Sequence, residues 1–255
     1  MEKLLLFSVG LLVPLLGTTL GAAAVFFLKK DLSPRLTPIL FGAAAGVMLS
    51  AAFFSLLSPA ADLAAARGMP AFLPCVTGTL AGAFLFWGLD LYLDRPRKEG
   101  DRSPEKRGSF LWAVTAHNLP EGMAVGVILA GALRGEGVTA AAAMALAVGI
   151  AVQNFPEGAI VSLPLAGKGM KRMDSFFLGV LSGAVEPIGA VAACLFTALA
   201  EPVLPFVLSF AAGAMIYVAS SELIPELGEG RSRAAGNAAL AVGFALMTAL
   251  DLALN

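Results

Sequence analysis

Apolar runs follow one another from end to end of this 255-residue chain, and short stretches of charged residues, Gly and Pro separate them. Each run holds about 20 residues, the length that a helix needs to cross a bilayer. The runs are continuously apolar rather than alternating, which disfavours a β-barrel. The pattern predicts an all-α integral membrane protein with eight transmembrane helices. Their predicted bounds are 4–28, 38–58, 70–93, 110–133, 138–165, 175–199, 202–224 and 233–254.

Composition agrees with a membrane protein, because charged residues make up 14% of the chain, against about 25% in an average soluble domain. We expect one transmembrane domain, residues 1–255. Its N-terminal apolar stretch is too long for a signal peptide, so we expect it to form the first span. The net charge of −1 gives no reason to expect a nucleic-acid partner. Cys75 and Cys194 lack CxxC spacing and predict no disulfide framework.

The distribution of Lys and Arg predicts the orientation of the chain in the cell membrane. The connections after predicted spans one, three, five and seven carry 14 of the 17 basic residues. Basic residues concentrate on the cytoplasmic side, so we expect these connections inside and both termini outside. The longest, residues 94–109, has six basic and four acidic residues and predicts a flexible cytoplasmic loop.

Polar residues interrupt the fourth apolar run at HNLPEG, residues 117–122. His117 and Glu121 have i, i+4 spacing, so on a helix they stand on one face, one turn apart. Asn118 lies on the flank of that face. Pro120 cannot donate a hydrogen bond to the carbonyl four residues before it, so we expect a kink there and a freed carbonyl oxygen.

The fifth run repeats this device 36 residues later as QNFPEG, residues 153–158. Gln153 and Glu157 have i, i+4 spacing, Asn154 is on the flank, and Pro156 predicts a second kink. The connection RGEG is short, so spans four and five are expected to pack antiparallel. Their two polar faces then meet near the middle of the membrane.

Other polar positions extend the pattern. Glu186 precedes a proline in GAVEPIGA of span six, and Met48 supplies a thioether in span two. Glu222 and Glu226 have i, i+4 spacing near the cytoplasmic end of span seven, and Asp90 lies near that end of span three. A carboxylate at the bilayer centre costs at least about 2.5–3.5 kcal/mol, so it usually serves a function.

Carboxylate oxygens, amide oxygens and an imidazole are ligands for divalent cations. Three carboxylates in an apolar bundle need cations, protons or water beside them to stay ionised. The mixed set of donors fits Zn²⁺, Fe²⁺, Mn²⁺ or Cd²⁺ better than Na⁺ or K⁺. It predicts a metal site for a transported ion and gives no reason to expect an organic cofactor.

The paired motifs and the eight-span plan resemble the ZIP (Zrt/Irt-like) family of divalent-metal transporters. QNFPEG, EPIG and SSELIPE resemble its GufA-type branch more specifically. The resemblance covers nearly the whole chain. It implies two three-span repeats of inverted topology, spans one to three and six to eight, around spans four and five. It also implies transport towards the cytoplasm, with zinc as the first candidate substrate.

The resemblance further implies a binuclear site in which Glu121 and Glu157 bridge two metal positions. The first position would take His117, Glu121, Gln153, Glu157 and Met48, and the second Asn118, Glu121, Asn154, Glu157 and Glu186. This chain has Gln153 where many members have His, and Asn154 where related chains can have Asp. Loop 94–109 has no histidine, so we expect no metal sensor there.

Each assignment has a structural alternative. His117 could be a satisfied structural histidine, the asparagines could hydrogen-bond between helices, and Met48 could fill the core. Glu222, Glu226 and Asp90 could simply be solvated. An intramembrane zinc enzyme is a rival hypothesis, but the chain has no HExxH and no second histidine. A proton-linked carrier of another solute is a second rival. Faces rich in small residues permit a homodimer without requiring one.

Overall fold

The computed structural model describes residues 2–27, 36–93, 105–135, 138–167, 169–195 and 203–254. The side chains at positions 2, 93, 105–114, 116, 117 and 254 lie outside this description. Every regular element in the described ranges is helical, which confirms the predicted all-α class.

Ten α-helices account for most of the described chain. They are α1 (Glu2–Ala22), α2 (Leu36–Ala51), α3 (Ser58–Ala66), α4 (Phe72–Leu93), α5 (Glu105–Arg134), α6 (Ala140–Gly167), α7 (Arg172–Gly183), α8 (Val185–Leu195), α9 (Leu204–Val218) and α10 (Gly230–Leu254). A 3₁₀ segment, Ala23–Phe27, continues α1. A π-helical segment, Ala52–Leu57, joins α2 to α3. A second, Ala219–Leu223, follows α9 and leads into the 3₁₀ turn Ile224–Leu227.

These elements form eight long helical stretches, in agreement with the prediction. Seven stretches within the described residues are long and apolar enough to cross a membrane: Lys3–Phe27, Leu36–Ala66, Phe72–Tyr92, Ala140–Gly167, Arg172–Leu195, Leu204–Leu227 and Gly230–Ala253. Helix α5, with 30 residues, is the eighth. We number them as spans one to eight in chain order, so that α5 is span four and α6 is span five.

Two predicted boundaries were wrong. Span two was expected to end at residue 58, but its helix continues to Ala66. Pro59 does not end the helix: the N–H of Ser58 bonds to the carbonyl of Phe53 in the π-helical manner, and the π-helical segment continues directly into α3. Residues 105–109, expected in the loop 94–109, belong to α5. Residues 94–104 lie outside the described residues.

The spans pack as four close pairs: one with five, six with four, two with eight, and seven with three. This set of pairs has an internal symmetry. If span one is exchanged with span six, two with seven, three with eight and four with five, the same four pairs result. Met48 and Met215 each lie four residues before a π-helical segment, in spans two and seven. The pairing and the matched π segments are those of two repeats around spans four and five. Because consecutive spans cross in opposite directions, such repeats are inverted.

Glycine allows the close approach of the helices in each pair. A Cβ built at these glycines would overlap backbone or side-chain atoms of the partner helix. The paired GxxxG positions are Gly17 and Gly21 on α1, Gly42 and Gly46 on α2, Gly78 and Gly82 on α4, and Gly122 and Gly126 on α5.

Candidate metal centre

Seven of the eight predicted ligands are buried in the interior. Each is at most 2% exposed: Met48, Asn118, Glu121, Gln153, Asn154, Glu157 and Glu186. The eighth, His117, lies on helix α5, and its side chain is outside the described residues. The helices α5 and α6 run through Pro120 and Pro156 without interruption, so the two polar motifs stay helical. The i, i+4 spacing therefore places the Gln153 and Glu157 side chains on one face of α6.

The glycine of each PEG motif brings the polar residues together. A Cβ on Gly122 would overlap the carbonyl oxygen of Glu186, so α5 can lie directly against α8 only because this residue is glycine. A Cβ on Gly158 would likewise overlap the carbonyl oxygen of Thr18 on α1. Spans four and five are thereby fixed against spans six and one. Glu186 comes beside the turn that carries Glu121.

The three carboxylates lie within electrostatic range of one another. Glu121 interacts with Glu157 and Glu186, and Glu186 interacts with Glu157. Gln153 lies beside the Glu121 carboxylate without forming a well-aligned hydrogen bond. Like charges this close and this deeply buried repel one another, and a bound cation removes that repulsion directly.

The two asparagines are held in a fixed orientation. Asn118 Nδ2 donates a 3.0 Å hydrogen bond to the carbonyl of Ser182, and Asn154 Nδ2 donates one of 3.3 Å to the carbonyl of Pro14. Because a backbone carbonyl can only accept, each NH₂ group must face outwards from its helix towards that partner. Each amide oxygen then points the other way, as an acceptor fixed in place.

Several of these acceptors have no hydrogen-bond partner among the described residues. They are Oδ1 of Asn118, Oδ1 of Asn154, Oε1 of Gln153, and both carboxylate oxygens of Glu121. A buried polar group without a partner costs about 1–3 kcal/mol, and more if charged. Oxygens that can only accept are satisfied by a cation, a proton or water. A group of such oxygens has the chemistry of a cation site.

Glu186 differs from Glu121 because both of its carboxylate oxygens receive a hydrogen bond. Thr18 Oγ1 donates to Oε1 at 3.2 Å, and Asn154 Nδ2 donates to Oε2 at 2.8 Å. Glu186 lies in the first turn of α8, after the break between α7 and α8 at Ala184. This interruption of the helix, which the sequence analysis did not predict, places the Glu186 carboxylate at the start of α8.

Carboxylates alone do not complete a site in the described part of the chain. Among the described His, Cys, Asp and Glu side chains, no three are grouped as one ion would require. The acceptors that surround Glu121 are therefore of mixed type, with neutral amides among them. Such a site binds a cation less tightly than one built from three or four charged ligands.

Met48 belongs to the apolar core. It is packed in a buried cluster that also contains Met215, Ala124 and Ile160. Ala124 and Ile160 each follow a PEG glutamate by three residues on α5 and α6, so the cluster that contains Met48 extends to the turns next to the glutamates. The described surroundings of Met48 are apolar side chains.

The positions near the predicted cytoplasmic ends are arranged differently from the prediction. Glu222 lies in a π-helical segment and Glu226 in a 3₁₀ turn, so the argument from α-helical i, i+4 spacing was wrong for this pair. Glu222 is half-buried and Glu226 exposed. Asp90 is half-buried and accepts a 2.6 Å hydrogen bond from the hydroxyl of Tyr217.

Sequence reasoning missed two polar groups outside the motifs. Thr18 is fully buried against Glu186, and Asp251 is buried and accepts a 2.6 Å hydrogen bond from Ser55. The internal repeat was the signal that could have found Thr18, because the residues around it correspond to those around Glu186. Asp251 lies in an apolar run, LMTALDLALN, which was a signal of the same kind as the other intramembrane acids.

Fold and site together define a multi-pass membrane protein with a group of buried oxygen acceptors on its central helices. Residues 108–251 match the family described as ZIP zinc transporter. The chain is 34% identical to the zinc transporter ZIP11 of Xenopus tropicalis, with 94% of each chain covered. It is 35% identical to the zinc transporter GufA of Myxococcus xanthus, with 96% of this chain and 99% of that one covered.

The chain is also 36% identical to the zinc transporter ZIPB of Bordetella bronchiseptica, with 94% of this chain and 78% of that one covered. The chain belongs to the ZIP family, and the match to GufA supports the GufA-like branch that QNFPEG and EPIG indicated. This confirms the prediction of a transporter rather than an enzyme.

Proposed function

We propose that this protein transports divalent metal ions, zinc first among them, across the membrane towards the cytoplasm through a binuclear site on spans four, five and six. The observation that carries the proposal is the group of buried oxygens around Glu121. These are acceptors held in place, with no hydrogen-bond partner among the described residues. Three family members similar to this chain are named zinc transporters, which supports zinc as the substrate.

In the proposed first position, the ion contacts His117, Gln153 and the two bridging glutamates, Glu121 and Glu157. Met48 is the weakest member of this set, because its thioether lies among apolar side chains. Its cluster extends to the turns next to the glutamates, which supports a role as a soft outer ligand or as part of the wall of the site. A neutral amide at position 153 in place of imidazole weakens the hold on zinc.

The proposed second position takes Asn118, Asn154, Glu186 and the same two bridging glutamates, and the three carboxylates would have to move closer together than they lie in the described structure to contact one ion. The fixed orientation of both amides supports this set, since their oxygens need no reorientation when the ion arrives. Asn154 also donates to Glu186, so one residue serves the ion with its oxygen and the neighbouring carboxylate with its NH₂ group. Two divalent ions would offset the charge of the three carboxylates.

The proposed direction rests on the distribution of basic residues and on the acidic groups at one end of the path. With the basic connections in the cytoplasm, Asp90 and Glu222 lie on the cytoplasmic side of the site. An ion that leaves the glutamates inwards would pass half-buried carboxylates that keep the local potential negative. Weak neutral ligands in both positions favour release, which a transport site needs.

The test is uptake of Zn²⁺, Cd²⁺, Fe²⁺ and Mn²⁺, offered separately, into sealed proteoliposomes. We expect saturable zinc uptake by the wild type and its loss in Glu157→Ala. Glu226→Gln is the matched control, because Glu226 is an exposed glutamate outside the site, and it should transport normally. The variants are compared at equal amounts of folded, inserted protein.

Absence of uptake of all four ions by correctly inserted wild-type protein would contradict the proposal. Uptake that survives in Glu157→Ala would contradict the placement of the site. Proton flux that needs no metal would favour the proton-linked carrier instead.

A further inference from the structure

Thr18 links span one, which carries none of the predicted ligands, to the third carboxylate of the site. It is fully buried, and its hydroxyl donates to Oε1 of Glu186 at 3.2 Å. Asn154 donates to the other oxygen at 2.8 Å. A carboxylate offers about four lone-pair sites, so each oxygen retains acceptor capacity for an ion after these two bonds. The two donors fix where that capacity points.

The packing around Thr18 holds it in this position. A Cβ on Gly158 of α6 would overlap the Thr18 carbonyl oxygen, and a Cβ on Gly183 of α7 would lie 2.7 Å from Thr18 Oγ1. The threonine is therefore enclosed by two glycines on two different helices. Its side chain is fully buried, so water cannot replace Glu186 as its partner as it could for a surface threonine.

The internal repeat gives Thr18 a specific counterpart, and that counterpart is Glu186 itself. Gly122 of the first PEG motif packs on the backbone of Glu186, and Gly158 of the second packs on the backbone of Thr18. The two residues are 168 positions apart, as are Pro14 and Ser182, whose carbonyls accept from the paired asparagines. Span six thus contributes a carboxylate to the site at the position where span one contributes a hydroxyl.

We propose that Thr18 is a positioning residue for metal transport: its hydroxyl orients the Glu186 carboxylate towards the ion. The two repeats then contribute differently to the site. Span six supplies the ligand Glu186, and span one supplies Thr18, the donor that orients it. This inference rests on the proposed function, since it assigns Thr18 a role at the second metal position. It adds span one to the elements that determine affinity for the ion.

The experiment measures KM and the maximal rate of zinc uptake into proteoliposomes for Thr18→Val, Thr18→Ser and wild type. Valine has nearly the shape of threonine but no hydroxyl, and serine keeps the hydroxyl. Thr19→Val is the matched control, because Thr19 donates only to the carbonyl of Leu15 in its own helix at 2.7 Å. The melting temperature of each metal-free variant is recorded alongside.

We expect Thr18→Val to raise KM about tenfold, which corresponds to about 1.4 kcal/mol, with little change in the maximal rate. Thr18→Ser and Thr19→Val should stay close to wild type in both constants. Rescue by serine together with an effect confined to KM separates positioning from a merely structural role, which would lower the amount of active protein instead.

A KM for Thr18→Val equal to that of Thr19→Val would overturn the inference, and so would a serine variant as impaired as the valine variant. If Thr18→Val fails to fold, Thr18→Ala removes the hydroxyl without adding volume between the two glycines and decides the same question. Wild-type protein without zinc uptake would contradict the proposed function, whereas normal wild-type uptake with an unchanged Thr18→Val contradicts only the role of Thr18.

Discussion

The hydroxyl of Ser55 donates a 2.6 Å hydrogen bond to Oδ1 of Asp251 and ties span two to span eight. Ser55 is in the π-helical segment of span two, and Asp251 is in the last turn of α10. Both side chains are buried, at 6% and 5% exposure. A second bond between the same spans joins the hydroxyls of Ser50 and Thr248 at 2.9 Å. The hydrogen bond to a carboxylate and the hydrogen bond between two hydroxyls lie on one interface, so their contributions to stability can be compared directly.

Removing the Ser55 hydroxyl should destabilise the protein more than removing that of Ser50. A hydrogen bond to a charged group contributes about 1.5–3 kcal/mol, against about 0.5–1.5 kcal/mol for a neutral pair. We therefore expect Ser55→Ala to lower the melting temperature in detergent further than Ser50→Ala does. Equal or reversed shifts for the two variants would show that the Asp251 carboxylate does not depend on this bond.

The bond between Tyr217 and Asp90 joins spans seven and three at the other π-helical region. It is 2.6 Å long and half-buried. We expect Tyr217→Phe to lower stability by about 0.5–1.5 kcal/mol, because partial exposure lets water replace part of the lost bond. Thermal unfolding in detergent measures the effect. Thr77→Val on span three is the control, since among the described residues Thr77 donates to the carbonyl of Leu73 in its own helix and should give no shift.

The glycines of the PEG motifs should tolerate no side chain. A Cβ on Gly122 or Gly158 would overlap a backbone carbonyl oxygen, and backbone cannot move aside as a flexible side chain can. Overpacking of this kind costs about 1–3 kcal/mol or more, so we expect Gly122→Ala and Gly158→Ala to give less folded protein and lower melting temperatures.

Gly88→Ala provides the control for both glycine variants. Gly88 is also in a membrane-spanning helix, but nothing lies within 4 Å of a Cβ built there. Alanine favours a helix over glycine by up to about 1 kcal/mol, so this variant should be neutral or slightly stabilised. If all three alanine variants behaved alike, close helix approach would not be the reason for glycine in the two motifs.

Much of the fold and of the site could be predicted from the sequence, because both depend on a strong contrast between apolar runs and isolated polar residues. The eight spans follow from hydropathy. Glu121, Glu157 and Glu186 were identified because a carboxylate in an apolar run is costly and therefore conspicuous. Their burial in one region follows from the short connection between spans four and five and from the glycines that let spans four and six touch.

The residues that sequence reasoning missed have ordinary chemistry and depend on tertiary contacts. Thr18 lies in a run of small and apolar residues. A threonine hydroxyl costs little free energy in a membrane helix, so hydropathy does not distinguish it from its neighbours. Its correspondence to Glu186 in the internal repeat was the one available signal, and the contact with Glu186 shows its significance. The π-helical segments were not predicted because one extra residue in a turn leaves no trace in hydropathy. For that reason the spacing of Glu222 and Glu226 was interpreted wrongly as a single α-helical face.

Gln153 offers a substitution that should strengthen the site and slow the protein. It is buried beside Glu121 on the polar face of α6. Imidazole nitrogen is a better zinc ligand than an amide oxygen. We expect Gln153→His to lower the KM for zinc by about tenfold, or about 1.4 kcal/mol. The maximal rate should fall, because tighter binding changes mostly the rate of release.

Gln153→Leu is the matched control for this last prediction, since it keeps a similar volume and removes the amide oxygen. It should raise the KM for zinc, so the two variants move the same constant in opposite directions from the wild type. Because a general loss of packing would impair both variants alike, the opposite signs isolate ligation from stability. A KM that is the same for histidine, glutamine and leucine at position 153 would remove this residue from the first metal position, and the amide would then serve only to solvate Glu121.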